Sequence, residues 1–176
     1  GGTFDEAGGL PRQNLVAVHA ATAAPTGWIA NVGSIGVYAL ALSGDVLYVG
    51  GYFSNIGGQP RNHIAAVNVS TGIPTAWNPN ANEAILSLAV SGTTIFAGGW
   101  FSSIGGNARN YIAALDPPTG TATPWNPDPL AGVHTLSMIA EKLYAGGEIP
   151  SVHVLTRNHI AALDASSGRV TNWNPG

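Results

Sequence analysis

Two residue types recur at spacings that could do chemistry. Trp28, Trp77, Trp125 and Trp173 follow one another at intervals of 49, 48 and 48 residues, and Arg12, Arg61, Arg109 and Arg157 keep the same intervals, each Arg 16 residues ahead of its Trp. Indoles at one radius could form a stacking platform for sugars. Guanidinium groups at one radius could form an anion-binding ring with a focused positive potential. Each has a structural alternative, because a residue placed identically in every repeat usually serves the repeat itself. Trp is then packing between repeats, with its indole N–H satisfied locally. Arg follows a glycine-rich turn and precedes an apolar run, so its fork is read as satisfying turn carbonyls. The structural roles are the preferred reading for both sets.

The remaining polar groups are less ordered. Asn78, Asn80 and Asn82 alternate ahead of Glu83, a spacing that could aim oxygens at calcium, but only Asp128 reinforces it one repeat later and Asn-Pro turns explain the composition as well. No metal site and no cofactor is assigned. His63 and His159 share a repeat position with Asn14 and Tyr111, which is too replaceable for a metal ligand. Glu141, Glu148, Asp116 and Asp164 are too scattered to nominate as an acid and base pair. There is neither a GxSxG elbow nor a cysteine nucleophile. No catalytic residue is named, and the chain is read as no enzyme. Tyr52 and Trp100 share a position beside a glycine pair where Thr3 and Glu148 also occur. An aromatic that varies between repeats could contact a glycan, and edge packing is its alternative.

These residues need elements to hold them, and composition narrows which. The 176 residues are 45% hydrophobic and only 9% charged, with 24 glycines and 12 prolines, as expected of many short strands joined by tight turns. A net charge of −3, with five arginines and the single Lys142 spread along the chain, offers no basic stripe for nucleic acid. No apolar run approaches the roughly 20 residues of a spanning helix, so membrane insertion is not expected. The opening Gly1-Gly2-Thr3-Phe4 carries no initiator Met, and the chain is expected to be a piece of something longer.

The segments from Gly50 and from Gly98 superpose without gaps, while the copies from Gly1 and Gly146 are more diverged. His153 and Val154 replace a glycine pair in the last copy, and Ala23 stands where Gly72, Gly120 and Gly168 stand in the others. Short apolar runs punctuated by Gly, Pro and Asn fit strands and not helical solenoids. In the best copy the expected strands are Ile85 to Val90, Thr94 to Phe101, Asn110 to Asp116, and a shorter fourth, Thr123 to Pro127. Ile64-Ala65-Ala66-Val67 and Ile112-Ala113-Ala114-Leu115 are apolar on both faces, as in sheets sandwiched between neighbours. The fold class is therefore all-β, a β-propeller of four-stranded blades of about 48 residues. Residues 1–176 form one segment, with repeats near 1–49, 50–97, 98–145 and 146–176. Such nearly four blades are expected to complete a ring with further sequence or a second chain.

The pattern GGxFxxIGGxxRNxIAAxxxxTGxxxxWNPxxN followed by LAVSGxxxFAGG resembles the delta-60 repeat propeller family of large secreted or surface-attached bacterial proteins. The resemblance covers the whole chain. It implies a binding or display module and carries no catalytic residues with it. Ala114, Asp116, Thr119, Gly120 and Trp125, and likewise Ala162, Asp164, Gly168 and Trp173, more weakly resemble the tryptophan-docking motif of quinoprotein dehydrogenase propellers, which packs blades together in that family.

The expectation is thus an extracellular or cell-surface bacterial module for binding, adhesion or scaffolding. Its expected partners are other protein segments or a second chain completing the ring, and a glycan at Tyr52 and Trp100. The rival is a glycan-active or quinone-dependent propeller enzyme whose active site lies partly outside these residues.

Overall fold

Short apolar runs closed by glycine turns leave little room for any element but strands, here of four to twelve residues in the main sheets. The computed structural model describes residues 1–176 and contains no helix, hence none long and apolar enough to cross a membrane. The nine longer strands are β1 (Val32–Ser43), β2 (Val46–Ile56), β3 (Ile64–Asn68), β4 (Ile85–Ser91), β5 (Thr94–Gly99), β6 (Ile112–Leu115), β7 (Val133–Ile139), β8 (Lys142–Gly147) and β9 (Ile160–Asp164). They form antiparallel sheets β1-β2-β3, β4-β5-β6 and β7-β8-β9, each with its second strand in the middle. Gly44 and Gly92, both at φ 54°, turn the chain between first and second strands, and Ala140 takes that place in the third sheet at φ 52°.

Between second and third strands each copy makes a small side ladder. Glu6–Ala7 pairs Leu10–Pro11, the end of β2 pairs Gln59–Pro60, Ser103–Ile104 pairs Asn107–Ala108, and Ser151–Val152 pairs Leu155–Thr156. The turns at their tips need left-handed backbone, supplied by Gly57-Gly58 (φ 54° and 76°) and Gly105-Gly106 (φ 61° and 78°). In the last copy His153 holds φ 51°, while Val154 does not adopt positive φ and projects into solvent.

The expected fourth strand is reduced to one bridge pair per sheet: Val67 with Pro74, Leu115 with Ala122, and Leu163 with Val170. Pairing runs one bond further and then ends. The next threonine donates its N–H back to the third strand, as Thr123 does to Ala114 O at 2.8–2.9 Å in its sheet and its neighbours, and then turns its own carbonyl toward an arginine. Pro79, Pro127 and Pro175 just beyond have no N–H to extend pairing.

The core lies between sheets. Along β6, Ala113 and Leu115 face the first sheet, packing with Tyr48, Ile64 and Ala66, while Ile112 and Ala114 face the third, packing with Leu143, Ala145 and Ala161. This is why third strands are apolar on both faces. The first strands of consecutive sheets lie side by side, and Leu136 N–H donates to Ser87 Oγ at 2.9 Å between them. A Cβ at Gly50 would meet Ile85 at 2.6 Å and one at Gly98 would meet Val133 at 2.7 Å, so these glycines set how closely the next sheet approaches. The three sheets form an open stack and do not close into a ring.

Candidate functional site

The side chains with chemical potential separate into a repeated frame and a variable rim. In the frame, every repeated arginine forks onto two carbonyls, that of the residue before it and that of the threonine closing its own sheet. Arg12 bonds Pro11 O and Thr26 O (2.8 and 3.0 Å), and Arg61 bonds Pro60 O and Thr75 O (2.7 and 2.6 Å). Arg109 bonds Ala108 O and Thr123 O (2.7 and 2.6 Å), and Arg157 bonds Thr156 O and Thr171 O (2.7 and 2.8 Å). Each guanidinium group thus clasps the turn and the closing threonine of its own repeat.

The asparagine after the arginine makes a second clasp. Asn62 Nδ2 donates to Asn80 Oδ1 at 2.8 Å and Asn110 Nδ2 to Asp128 Oδ1 at 2.9 Å, the acceptors sitting at φ 53° and 49°. Asn82 Oδ1 accepts from the N–H groups of Ser102 and Ser103, and Glu83 Oε2 from that of Ala84. The side-chain oxygens of Asn80, Asn82 and Glu83 are therefore turned to protein donors. Nowhere do three His, Asp or Glu side chains converge. The second residue after the arginine is held by its backbone: Asn14, His63, Tyr111 and His159 all have φ of 62–67°. Their N–H groups donate to Phe4, Phe53, Phe101 and Ile149 carbonyls, and their own carbonyls accept from the glycine pairs. The left-handed backbone is common to all four, which is why the side chain can change.

Each of Trp77, Trp125 and Trp173 meets the aromatic ring of its own second strand edge-on: Tyr48 at 5.0 Å, Phe96 at 5.1 Å and Tyr144 at 5.4 Å. Trp77 then donates Nε1–H to Asp116 O (3.0 Å) and Trp125 to Asp164 O (3.2 Å), both on the following sheet. The landing turn carries Gly120 or Gly168 at φ 76° or 74°. A Cβ at Gly168 would press on Trp125 Nε1 at 3.2 Å. The Asp164 carboxylate accepts bonds from the backbone and hydroxyls of Ser166 and Ser167, which lower its pKa to about 2. Trp28 Nε1 is buried without a partner, and Trp173 is 41% exposed with nothing beyond it.

The rim is built by β-bulges. All three sheets carry a register shift at one place in the first strand, between Val37 and Ala39, Ile85 and Ser87, and Val133 and Thr135. The bulged residues, Tyr38, Leu86 and His134, stand 48 apart and differ in every repeat. A bulge re-aims its side chain out of the alternating pattern. Beside it comes the residue after the preceding sheet's glycine pair, the position of Tyr52 and Trp100. Trp100, half exposed, meets His134 edge-on at 6.2 Å, and His134 Nε2 lies 3.8 Å from Glu148 Oε1. Tyr52 packs on His63 at 5.0 Å, and burial lowers the His63 pKa against the opposing pull of Glu83. Sequence reasoning marked Tyr52 and Trp100 but not His134. The available signal was that a histidine stands where the aligned first strands have Tyr38 and Leu86.

The largest cavity, about 560 Å³, is elsewhere, lined by Asn78, Asn80, Ser103 and Asn107 on an open loop surface.

A family model described as a domain of unknown function (DUF5122) beta-propeller matches residues 46–65 and 94–121, the second and third strands of the first two sheets. No curated protein matches the chain. Among solved structures it is similar to two computationally designed proteins. The Ika8 protein has a TM-score of 0.55 at 12% identity over 80% of this chain and 36% of that one. The Ika4 protein has a TM-score of 0.53 at 14% identity over 80% of this chain and 72% of that one. The chain thus spans little more than a third of the Ika8 chain, and at these identities the likeness concerns fold alone. The fold is all-β, and the family match is to a β-propeller repeat.

Proposed function

We propose that this chain is a non-catalytic binding, adhesion or scaffolding module of a larger secreted or surface-attached bacterial protein, built of four-stranded propeller blades of the delta-60 kind. The observation that carries this reading is the uncovered face of the third sheet. Trp173 and Tyr144 repeat the edge-on pair that elsewhere sits on a following sheet, and at the two inner junctions that pair is 5–6% exposed on its Trp side. A face made to dock a further blade supports a protein that works by assembly, with adjoining sequence or a second chain as the occupant. The bacterial and extracellular parts rest on the delta-60 resemblance. The repeated arginines and tryptophans being spent on the frame also favours display over chemistry.

Intact mass and light scattering of the native material test this. Either a mass well above that of 176 residues, or a discrete dimer of 176-residue chains, supports the docking face. A 176-residue monomer in solution overturns it.

A further inference from the structure

We infer that the junction between the second and third sheets carries a saccharide site formed by Trp100, His134 and Glu148. This names a ligand class for the binding module proposed above and rests on that reading.

Three observations converge there. First, the frame makes room for the indole: a Cβ at Gly132 would come within 2.8 Å of Trp100 Cδ1 and 2.9 Å of Nε1, where the preceding sheet has Ala84. Trp100 nevertheless stays half exposed, and its Nε1–H has no acceptor in the protein. It is unlike Trp77 and Trp125 of the frame, whose rings are covered and whose N–H groups are bound. Second, the bulge turns His134 to the indole, where a regular strand would alternate it away. Third, Glu148 is the next repeat's counterpart of Trp100, held by the same backbone bond: Trp100 N–H donates to Ala84 O and Glu148 N–H to Gly132 O, both at 3.0 Å. Corresponding positions on two sheets thus present an indole and a carboxylate, with an imidazole between them.

The chemistry fits a molecule with an apolar face and a hydroxylated edge. A pyranose ring lays its C–H face on an indole, while neighbouring hydroxyls need both acceptors and donors. Glu148 supplies the acceptors, and His134 with the Trp100 N–H the donors. A cationic ligand fits less well, because only one aromatic ring is present and His134 competes for the carboxylate.

Neutral cello-, xylo-, manno- and chito-oligosaccharides, titrated into the 176-residue chain while the indole N–H resonances are followed by NMR, test the site. At least one series is expected to shift the Trp100 resonance saturably. Trp100→Ala should weaken binding about tenfold or more, Glu148→Ala should also weaken it, and Trp100→Phe should retain most of it. Trp173→Ala, which removes the other exposed indole, should leave it unchanged. No shift with any series at millimolar concentration overturns the site, as does binding that survives Trp100→Ala or is lost with Trp173→Ala. Light scattering on the same samples reads the end face separately, so a failure of docking and a failure of saccharide binding are told apart.

Discussion

The junction at Trp125 and the face at Trp173 are the same device in two situations. Both tryptophans meet an aromatic ring of their own sheet edge-on, but Trp125 is 6% exposed and bonded to Asp164 O, whereas Trp173 is 41% exposed. One sequence pattern therefore yields a buried core element where a following sheet exists and a partly exposed aromatic face where none does. The difference lies wholly in the neighbour, which is the general condition of repeats that contact only adjacent units.

The largest break in that comparison comes from truncation. Trp125→Ala should cost about 3–5 kcal/mol, through lost burial and the lost Nε1–H bond to Asp164 O, which keeps only its bond from Gly168 N–H, while Trp173→Ala in the same chain should cost about 1 kcal/mol or less. Urea denaturation of the two variants measures this, and equal losses would mean that Trp173 is buried in solution. Next is the fork. Arg109→Met removes two charge-assisted bonds and strands the Thr123 and Ala108 carbonyls, for about 2–3 kcal/mol, and Arg109→Lys should recover only part of it. Urea midpoints of both variants check the order.

Smaller effects sit in the landing turn. Gly120→Ala forces a side chain to φ 76° with Pro79 at 3.3 Å, and should destabilise by about 1–2 kcal/mol. Ala23, already at φ 56° in the first copy, should give the opposite sign: Ala23→Gly should stabilise by up to about 1 kcal/mol in thermal melts. The smallest effect is the pH response of Asp164. Its folded pKa, about 2, lies below the ordinary 3.8. Its contribution is therefore complete above the ordinary value and is lost as pH falls from there through about 2. An NMR titration should place the carboxyl near 2, and Ser166→Ala with Ser167→Ala should return it toward the ordinary value.

Much of the architecture was readable before any coordinates. Trp and Arg at constant intervals, glycine pairs, and third strands apolar on both faces led directly to an all-β propeller repeat. The fourth segment of each copy, strand-like at the start of Thr-x-Trp-Asn-Pro, pairs with its sheet through a single bridge and one further N–H bond. What ends the ladder there is an arginine 14 residues upstream taking the threonine carbonyl, as Arg109 takes that of Thr123. The asparagine run read as a possible ion site for a related reason. Asn80 and Asn82 find their donors on other segments, Asn62 and Ser102 with Ser103, and a local spacing cannot show them.

The rim was half legible. That Trp100 varies between repeats can be read by aligning copies, but its pairing with His134 needs a β-bulge, and a bulge leaves little trace in the order of side chains. The sequence by itself determined the period, the strand-forming runs and the turns, because these depend on residues near one another along the chain. Only the tertiary structure decided which repeated side chains are spent on the frame and which are left at the surface. That outcome depends on carbonyls and rings brought together from different sheets, whose separation along the chain no local pattern encodes.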